Sequence, residues 1–409
     1  MANQSAIPVN GKLAPQVNRY YRRTSRIYLA AGLILLVALL LYCIAAVALW
    51  GEYITYDNLT YLVRDWSAMS FTGETSFSRL VYNAGENTRF AGFRGGVALC
   101  NGDTCSYYDG SGINLFDDAL NFSSPVLRPS EKYMLVYDLG GTQYAVYNQL
   151  TRIIGREAGG RILYGSIADN GELLLVTRSR ETRYVVERYN AAFNKTMSIY
   201  KDNYVMAADL SPDGNRIVIC SAVPDDSSLG CEIEICSDRQ TEPIAEFTYP
   251  QTMPLDVLAA DDGFILLTDT GVTYFDYDGT KVGAYNFVGM NIQHADLDSD
   301  LTVLTASTNA LGSESRVIVL SGNGSVLYDE VFRQRIVGCY ASGNAEEALG
   351  WLRTSDSVIR IKPNGGTETV PYQNGSVLSV IPMKRGVLVA ERTGAGLFES
   401  NENETNQEG

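Results

Sequence analysis

A short polar turn followed by an apolar strand recurs about every forty residues, and this repeat constrains the fold more than any other feature. The clearest copies occupy residues 208–220, 167–177 and 259–268. Looser copies surround the turns at 94–96, 129–130, 298–300, 342–344 and 383–385. A unit of this size holds three or four antiparallel strands, and neighbouring units must cover its two apolar faces. The repeat therefore predicts an all-β protein, a β-propeller.

The number of turns predicts eight blades, with seven as the alternative because weak repeats are easily overcounted. The last unit, residues 377–398, supplies only three strands. We expect residues 77–82 to provide its missing outer strand, because pairing the two ends of the chain removes an exposed sheet edge. The propeller is predicted to span residues 76–399. The tail at 400–409 lacks apolar residues and is predicted to be disordered.

Residues 27–50 are almost wholly apolar and contain no charged residue. About 20 such residues cross a bilayer as a helix, which satisfies its own backbone hydrogen bonds in lipid. A single transmembrane helix is therefore predicted. The rival interpretation is a cleaved signal peptide, because Ala46-Val47-Ala48 has a small-x-small pattern. The apolar stretch exceeds the usual length of about 7 to 15 residues, which favours a retained anchor.

The short leader, residues 1–26, is basic and contains no acidic residue. Its arginines nearest the span are Arg19, Arg22, Arg23 and Arg26. Lys and Arg beside a span remain on the cytoplasmic side, so these residues are predicted to set the topology with the N-terminus inside. The rest of the chain is then outside the cell. Residues 51–75 are predicted to form a helical stalk, because 57–69 places apolar residues on one helical face.

The exterior portion is strongly acidic. Without the leader it carries 27 Lys and Arg against 47 Asp and Glu, a net charge of −20. Such a surface repels phosphates over a Debye length of about 8 Å. Nucleic acid is therefore excluded as an expected partner. A solvated acidic surface that serves solubility alone is the simplest explanation of the charge.

Seven cysteines are present. Cys100 and Cys105 flank a four-residue turn, so they are placed to face one another across a hairpin. A second group, Cys220, Cys231 and Cys236, surrounds another hairpin where one further bridge is expected. Candidate disulfide residues are therefore Cys100, Cys105, Cys220 and Cys231, although spacing alone does not fix the connectivity. Neither short-spaced pair has the usual spacing of metal ligands.

Motifs that carry chemistry are few. His294 is the single histidine, so any Ser–His–Asp triad would have to be built around it. The alternating Asp296, Asp298 and Asp300 resemble a calcium loop, but Leu301 stands where that loop needs Gly. No glycine-rich phosphate loop is present. The sequence therefore predicts no catalytic residue, no cofactor and no metal site.

An enzymatic alternative rests on four aspartates that we expect at one blade position, where they could line one rim of the channel. They are Asp169, Asp209, Asp261 and Asp296. Carboxylates converging in one pocket would favour an extracytoplasmic hydrolase or lyase. Capping of turns explains the recurrence equally well and is preferred. A non-enzymatic protein is thus the leading hypothesis.

Several motifs carry a family resemblance. The turn Ser211-Pro212-Asp213-Gly214 resembles those of TolB- and WD40-like propeller repeats. The stretches at 93–98, 107–110, 124–127 and 133–147 resemble an uncharacterised bacterial family with one N-terminal span and a propeller. This resemblance covers the chain from the span onward and implies an anchor in the bacterial cytoplasmic membrane. Together with the leading hypothesis, it implies a binding or scaffold module for an envelope protein or cell-envelope polymer.

Overall fold

The computed structural model describes residues 15–50 and 79–398, except positions 86, 226–227, 310–311, 343–344, 374 and 384–385. Side chains within 15–20 and 46–50 are also outside this description. Its α-helix, α1, runs from Pro15 to Trp50. The predicted stalk at 51–75 and the predicted tail at 400–409 lie outside the described residues.

Helix α1 contains the predicted apolar stretch and begins inside the basic leader. The most apolar 18-residue window within residues 21–45 has a mean hydropathy of 2.7, and none of that window is buried within the protein. By length and composition this helix can cross a membrane. The same properties suit a membrane anchor and a signal sequence.

The strands form eight antiparallel sheets of four strands each. Strand β1 (Arg79–Val81) belongs to the eighth sheet and precedes the others in the chain. The first sheet contains β2 (Arg89–Phe93), β3 (Gly96–Cys100), β4 (Thr104–Tyr108) and β5 (Asn114–Ala119). The second contains β6 (Pro125–Pro129), β7 (Met134–Asp138), β8 (Gln143–Tyr147) and β9 (Arg152–Glu157). The third contains β10 (Ile162–Ile167), β11 (Leu173–Arg178), β12 (Tyr184–Tyr189) and β13 (Lys195–Lys201).

The remaining sheets repeat this order. The fourth contains β14 (Tyr204–Leu210), β15 (Arg216–Asp225), β16 (Ser228–Ser237) and β17 (Pro243–Tyr249). The fifth contains β18 (Pro254–Ala259), β19 (Gly263–Thr268), β20 (Gly271–Asp276) and β21 (Lys281–Asn286). The sixth contains β22 (Asn291–Leu297), β23 (Leu301–Ser307), β24 (Ser315–Ser321) and β25 (Val326–Phe332). The seventh contains β26 (Gly338–Ala341), β27 (Gly350–Arg353), β28 (Ser357–Ile361) and β29 (Thr367–Pro371).

The eighth sheet closes the ring. It contains β30 (Val377–Pro382), β31 (Val387–Glu391), β32 (Gly394–Phe398) and, at its outer edge, β1. Strand β1 pairs antiparallel with β32, with Leu80 opposite Ala395. Strand β30 also contacts β2 of the first sheet. The protein is therefore an eight-bladed β-propeller, and its first strand completes the last blade as the sequence predicts.

The core is divided into eight apolar clusters, each built from two neighbouring sheets. One cluster joins the eighth sheet to the first and includes Leu80, Leu99 and Leu388. Central strands have both faces covered, so β7 is buried at every position. Outer strands such as β17 alternate between half-buried and exposed positions. No sheet can bury its own faces alone, which is why the blades stabilise one another.

The turn that marks the repeat has a local cause. In the fourth sheet the Gly214 amide donates to the Ser211 carbonyl oxygen at 2.8 Å. Gly214 has a φ of 77°, a conformation that L side chains rarely adopt. The Asp213 carboxylate accepts from the Ser211 hydroxyl at 2.6 Å and from the Asn215 amide at 2.9 Å. Turn capping therefore accounts for the Ser-Pro-Asp-Gly motif.

Candidate functional site

The first strands of neighbouring sheets contact one another around most of the ring. In a propeller these strands line the central channel. Five of them, β10, β14, β18, β22 and β30, contain a register shift near their beginning. The residues skipped by these shifts are Leu163, Met206, Leu255, Gln293 and Leu378. Bulges re-aim the side chains that follow them and are common beside functional sites. Here the following residues include Tyr164, Asp256 and His294.

Side chains from non-adjacent blades meet across the channel. The Tyr164 hydroxyl of the third sheet lies 3.5 Å from Asp256 Oδ1 of the fifth. The Arg128 guanidinium of the second sheet lies 4.9 Å from the centre of the Tyr164 ring, a cation–π contact. Since the fourth sheet lies between the third and fifth along the ring, the contact between Tyr164 and Asp256 lies inside the channel. We call Arg128, Tyr164, Asp209, Asp256 and Asp296 the channel cluster.

Burial dominates the electrostatics of the channel cluster. Desolvation raises the pKa of Asp256, and Arg128 opposes the shift. Desolvation raises the pKa of Asp296 to about 6, and the Asp298 and Asp256 carboxylates add to the rise. Desolvation also raises the pKa of Asp209. The Nε atom of Arg128 is buried and has no hydrogen-bond partner among the described residues. The charge of one guanidinium thus opposes the rise in pKa of three carboxyl groups, an arrangement that can bind polar or charged groups.

Two of these carboxylates also connect neighbouring blades. Asp209 Oδ2 accepts from the Ala259 amide of the fifth sheet at 2.8 Å. Asp296 Oδ2 accepts from the Ala341 amide of the seventh sheet at 2.7 Å. Both aspartates lie at the same place in their blades, two residues before the turn. These two carboxyl groups therefore connect neighbouring blades and also place ionisable groups in the channel wall.

The other two recurring aspartates lie elsewhere. Asp169 and Asp261 follow the first strands of their sheets and sit within the turns. Asp169 Oδ1 accepts from the Glu131 amide of the second sheet at 2.7 Å, so it connects two turns. The expectation that all four aspartates share one blade position is wrong. Asp209 and Asp296 lie within first strands, β14 and β22, whereas Asp169 and Asp261 lie after the ends of β10 and β18.

Arg128, Tyr164 and Asp256 are not predicted from the sequence, because they approach one another only after the ring closes. A usable signal was present. Arg128 and Asp256 interrupt short apolar strands, PVLRP and PLDVLA, and both charged residues are half-buried. A charged residue in such a strand needs a partner.

The remaining candidates do not join the channel cluster's contacts. His294 follows the shift in β22, and burial together with Arg353 and Arg335 lowers its pKa. Asp298 accepts from the Asp300 amide at 3.2 Å, a turn contact. Within the described residues, no group of three His, Cys, Asp or Glu side chains is arranged to hold a metal ion.

The candidate cysteines lie on paired strands, and each is a free thiol in the structure. Cys100 lies directly opposite Cys105. Cys220 lies opposite Ile233, and Cys231 lies opposite Ala222, so this second pair is diagonal. Four arginines are predicted to set the membrane topology. Of these, Arg22, Arg23 and Arg26 are exposed on α1. Arg19 lies in the same helix, and its side chain is outside the described residues.

One end of the channel, where β14 and β18 begin, carries exposed apolar side chains. Leu255 is 46% exposed and Met206 is 40% exposed. Nearby Tyr204 is 50% exposed. The Arg183 guanidinium lies 4.0 Å from the centre of the Tyr204 ring. We call Tyr204, Met206 and Leu255 the apolar rim.

Comparisons with known proteins agree with the fold. A model described as "Family of unknown function (DUF5711)" matches residues 69–392. No curated protein matches the sequence. BamB from Moraxella catarrhalis is similar with a TM-score of 0.52 and 10% identity, over 78% of this chain and 98% of that one.

Two further propellers illustrate how general this architecture is. The computationally designed Ika8 protein is similar with a TM-score of 0.57 and 12% identity, over 79% of this chain and all of its own. Chaetomium thermophilum Sqt1, bound to the N-terminus of ribosomal protein L10, has a TM-score of 0.52 and 12% identity, over 80% and 100%. At such identities the likeness concerns the fold alone.

Proposed function

Because the chain belongs to DUF5711, a family of unknown function, we propose its role from the propeller itself: a membrane-anchored, non-enzymatic binding module. It presents the apolar rim and the channel cluster below it to an envelope protein or cell-envelope polymer. The observation that carries this proposal is the combination of exposed apolar side chains at the rim with charged groups in the channel. Such a combination supplies contact area and orientation together.

The anchoring part of the proposal is supported by α1 and its leader. Arg22, Arg23 and Arg26 are exposed just before the apolar residues of the helix. Basic residues at that place keep the N-terminus in the cytoplasm. The propeller then lies outside the bacterial cytoplasmic membrane, where envelope proteins and polymers are accessible.

A propeller can act as a binding module without catalysing a reaction. The Sqt1 structure contains a propeller bound to a segment of another protein. By analogy of fold alone, the same mode of use suits this chain. The acidic exterior favours partners that offer cationic groups to the channel mouth.

The enzymatic alternative is an extracytoplasmic hydrolase or lyase. The raised pKa values of Asp256 and Asp296, the latter about 6, favour it, because carboxyl groups with raised pKa values serve as general acids. Against it, Asp209 and Asp296 each accept a backbone amide from the next blade, which is a structural use. Release of soluble fragments from purified envelope polymers, abolished by Asp256→Asn, would favour the enzyme.

Site-specific photocrosslinking in intact cells tests the binding proposal. A photoreactive residue is introduced at Leu255 in the apolar rim, or at Val282 on the outer strand of the same sheet. The two side chains are 46% and 60% exposed, so they form a matched pair. We expect a discrete adduct from position 255 that weakens with Asp256→Asn, and none from position 282. Equal adducts at both positions, or none at either, would contradict the proposal.

A further inference from the structure

Cys100 and Cys105 occupy a special register in the hairpin of β3 and β4. The Asn101 amide donates to the Thr104 carbonyl oxygen at 2.9 Å, so these two residues form a hydrogen-bonded pair. Hydrogen-bonded and non-hydrogen-bonded pairs alternate along antiparallel strands, and the cysteine pair is the next one. Its Cα atoms are therefore about 4.5 Å apart. Disulfides form at Cα separations of about 4.4–6.8 Å.

The side chain of Asn101 stabilises the turn between these cysteines. Asn101 Oδ1 accepts from the Asp103 amide at 2.8 Å and from the Thr104 amide at 2.7 Å. Such a turn fixes the register of the hairpin locally. The two thiols are thus opposed before any other blade forms.

The second cysteine pair provides a natural contrast. Cys220 and Cys231 are diagonal neighbours, because Cys220 lies opposite Ile233 and Cys231 lies opposite Ala222. Diagonal Cα atoms lie about 7–8 Å apart. Separations above about 7 Å need backbone movement before a disulfide can form. Cys236 packs in the core shared by the third and fourth sheets, and Cys339 in that shared by the sixth and seventh.

We infer that Cys100 and Cys105 form the disulfide of this propeller, whereas Cys220, Cys231, Cys236 and Cys339 remain thiols. This inference rests on the extracytoplasmic placement proposed above, because an oxidising compartment supplies the oxidant. The oxidant is an exchangeable disulfide, R–S–S–R. One cysteine thiolate attacks it and releases R–SH. The second thiolate attacks the mixed disulfide and releases another R–SH, so two electrons and two protons leave the protein.

The folded ring restricts when this exchange can occur. Cys100 and Cys105 are both 0% exposed in the core between the first and second sheets. The hydrogen bond with Cys100, together with burial, raises the pKa of the Cys105 thiol, so little thiolate exists after folding. Exchange therefore belongs to the hairpin stage, before the second sheet covers the pair. Local hairpins form faster than contacts between distant strands.

Differential alkylation of the full chain tests the assignment. Cells are quenched in acid, free thiols are alkylated in denaturant, and peptides are fragmented in a mass spectrometer. We expect residues 100 and 105 unalkylated and two hydrogens lighter, with Cys220, Cys231, Cys236 and Cys339 alkylated. Ala222→Cys places a thiol directly opposite Cys231. This variant is expected to gain a disulfide to Cys231.

The chain refolded with glutathione disulfide separates the two premises. Oxidation of Cys100 and Cys105 after refolding but not in cells would overturn the extracytoplasmic placement and keep the geometry. Alkylation of both residues in both samples would overturn the pairing. A bridge between Cys220 and Cys231 in the unmodified chain would overturn the argument from register.

Discussion

The cores between the blades and the wall of the channel use opposite physical chemistry. Between the fourth and fifth sheets, Phe264 stacks on Phe275 with ring centres 5.0 Å apart and an angle of 19°. Both rings belong to an apolar cluster. In the channel, Arg128, Tyr164 and Asp256 meet instead, and burial raises the carboxyl pKa. Stability is therefore concentrated between blades, while the channel holds charge at a cost in stability, as functional sites commonly do.

The largest expected effect is a loss of packing between blades. Phe264 is 2% exposed, so Phe264→Ala leaves a cavity and should lower the free energy of unfolding by about 3–5 kcal/mol. Guanidinium titration of the purified chain in mild detergent measures the change. Val282→Ala, on the exposed outer strand of the same sheet, is the control and should change stability by less than about 0.5 kcal/mol. Equal losses from the two variants would remove the contrast between core and surface.

In the channel, removal of a buried carboxyl group should raise the stability of the protein at neutral pH, whereas loss of a core ring lowers it. The folded pKa of Asp296 is about 6, above its ordinary value of 3.8, so the folded chain holds this proton more tightly than the unfolded chain. Stability should then fall as pH rises from about 4 to about 6, by up to about 3 kcal/mol in all. Asp296→Asn cannot ionise and keeps an oxygen that accepts from the Ala341 amide. We expect this variant to lose that pH dependence and to be more stable at pH 7.

Titrations at several pH values compare this variant with the unmodified chain and with Asp278→Asn, whose residue lies in an exposed turn. The turn variant should keep the pH dependence. A destabilised Asp296→Asn at pH 7 would mean that the carboxylate mainly holds neighbouring blades together. The channel wall, like the cores between blades, would then mainly stabilise the fold.

The smallest effect is expected at the outer surface. Arg316 donates to both Asp329 oxygens, at 2.7 and 2.6 Å, and the two side chains are 37% and 31% exposed. Solvent screens such a pair, so Asp329→Asn should cost about 0–1 kcal/mol. A double-mutant cycle with Arg316→Gln measures the coupling. A coupling comparable to the loss from Phe264→Ala would show that surface charge rivals the cores.

The fold could be predicted because its signals are local and repeated. Turns such as Ser211-Pro212-Asp213-Gly214 and the apolar strands after them predict the unit, and their number predicts the blades. The last unit lacked a strand, which predicted that β1 would complete it. Within the channel cluster, Arg128, Tyr164 and Asp256 were not predicted, because they come from three different sheets. The shared position of the four aspartates was predicted wrongly, because Asp209 and Asp296 lie in first strands and Asp169 and Asp261 in the turns that follow.

The sequence by itself determined the apolar helix, the repeat and the need for a closed ring, since each follows from hydrophobic periodicity and from edges that must pair. Only the tertiary structure decided which side chains meet in the channel and that Cys220 and Cys231 are diagonal, because ring closure and strand register set those distances. Periodicity within one blade contains no information about side chains that approach one another across the channel.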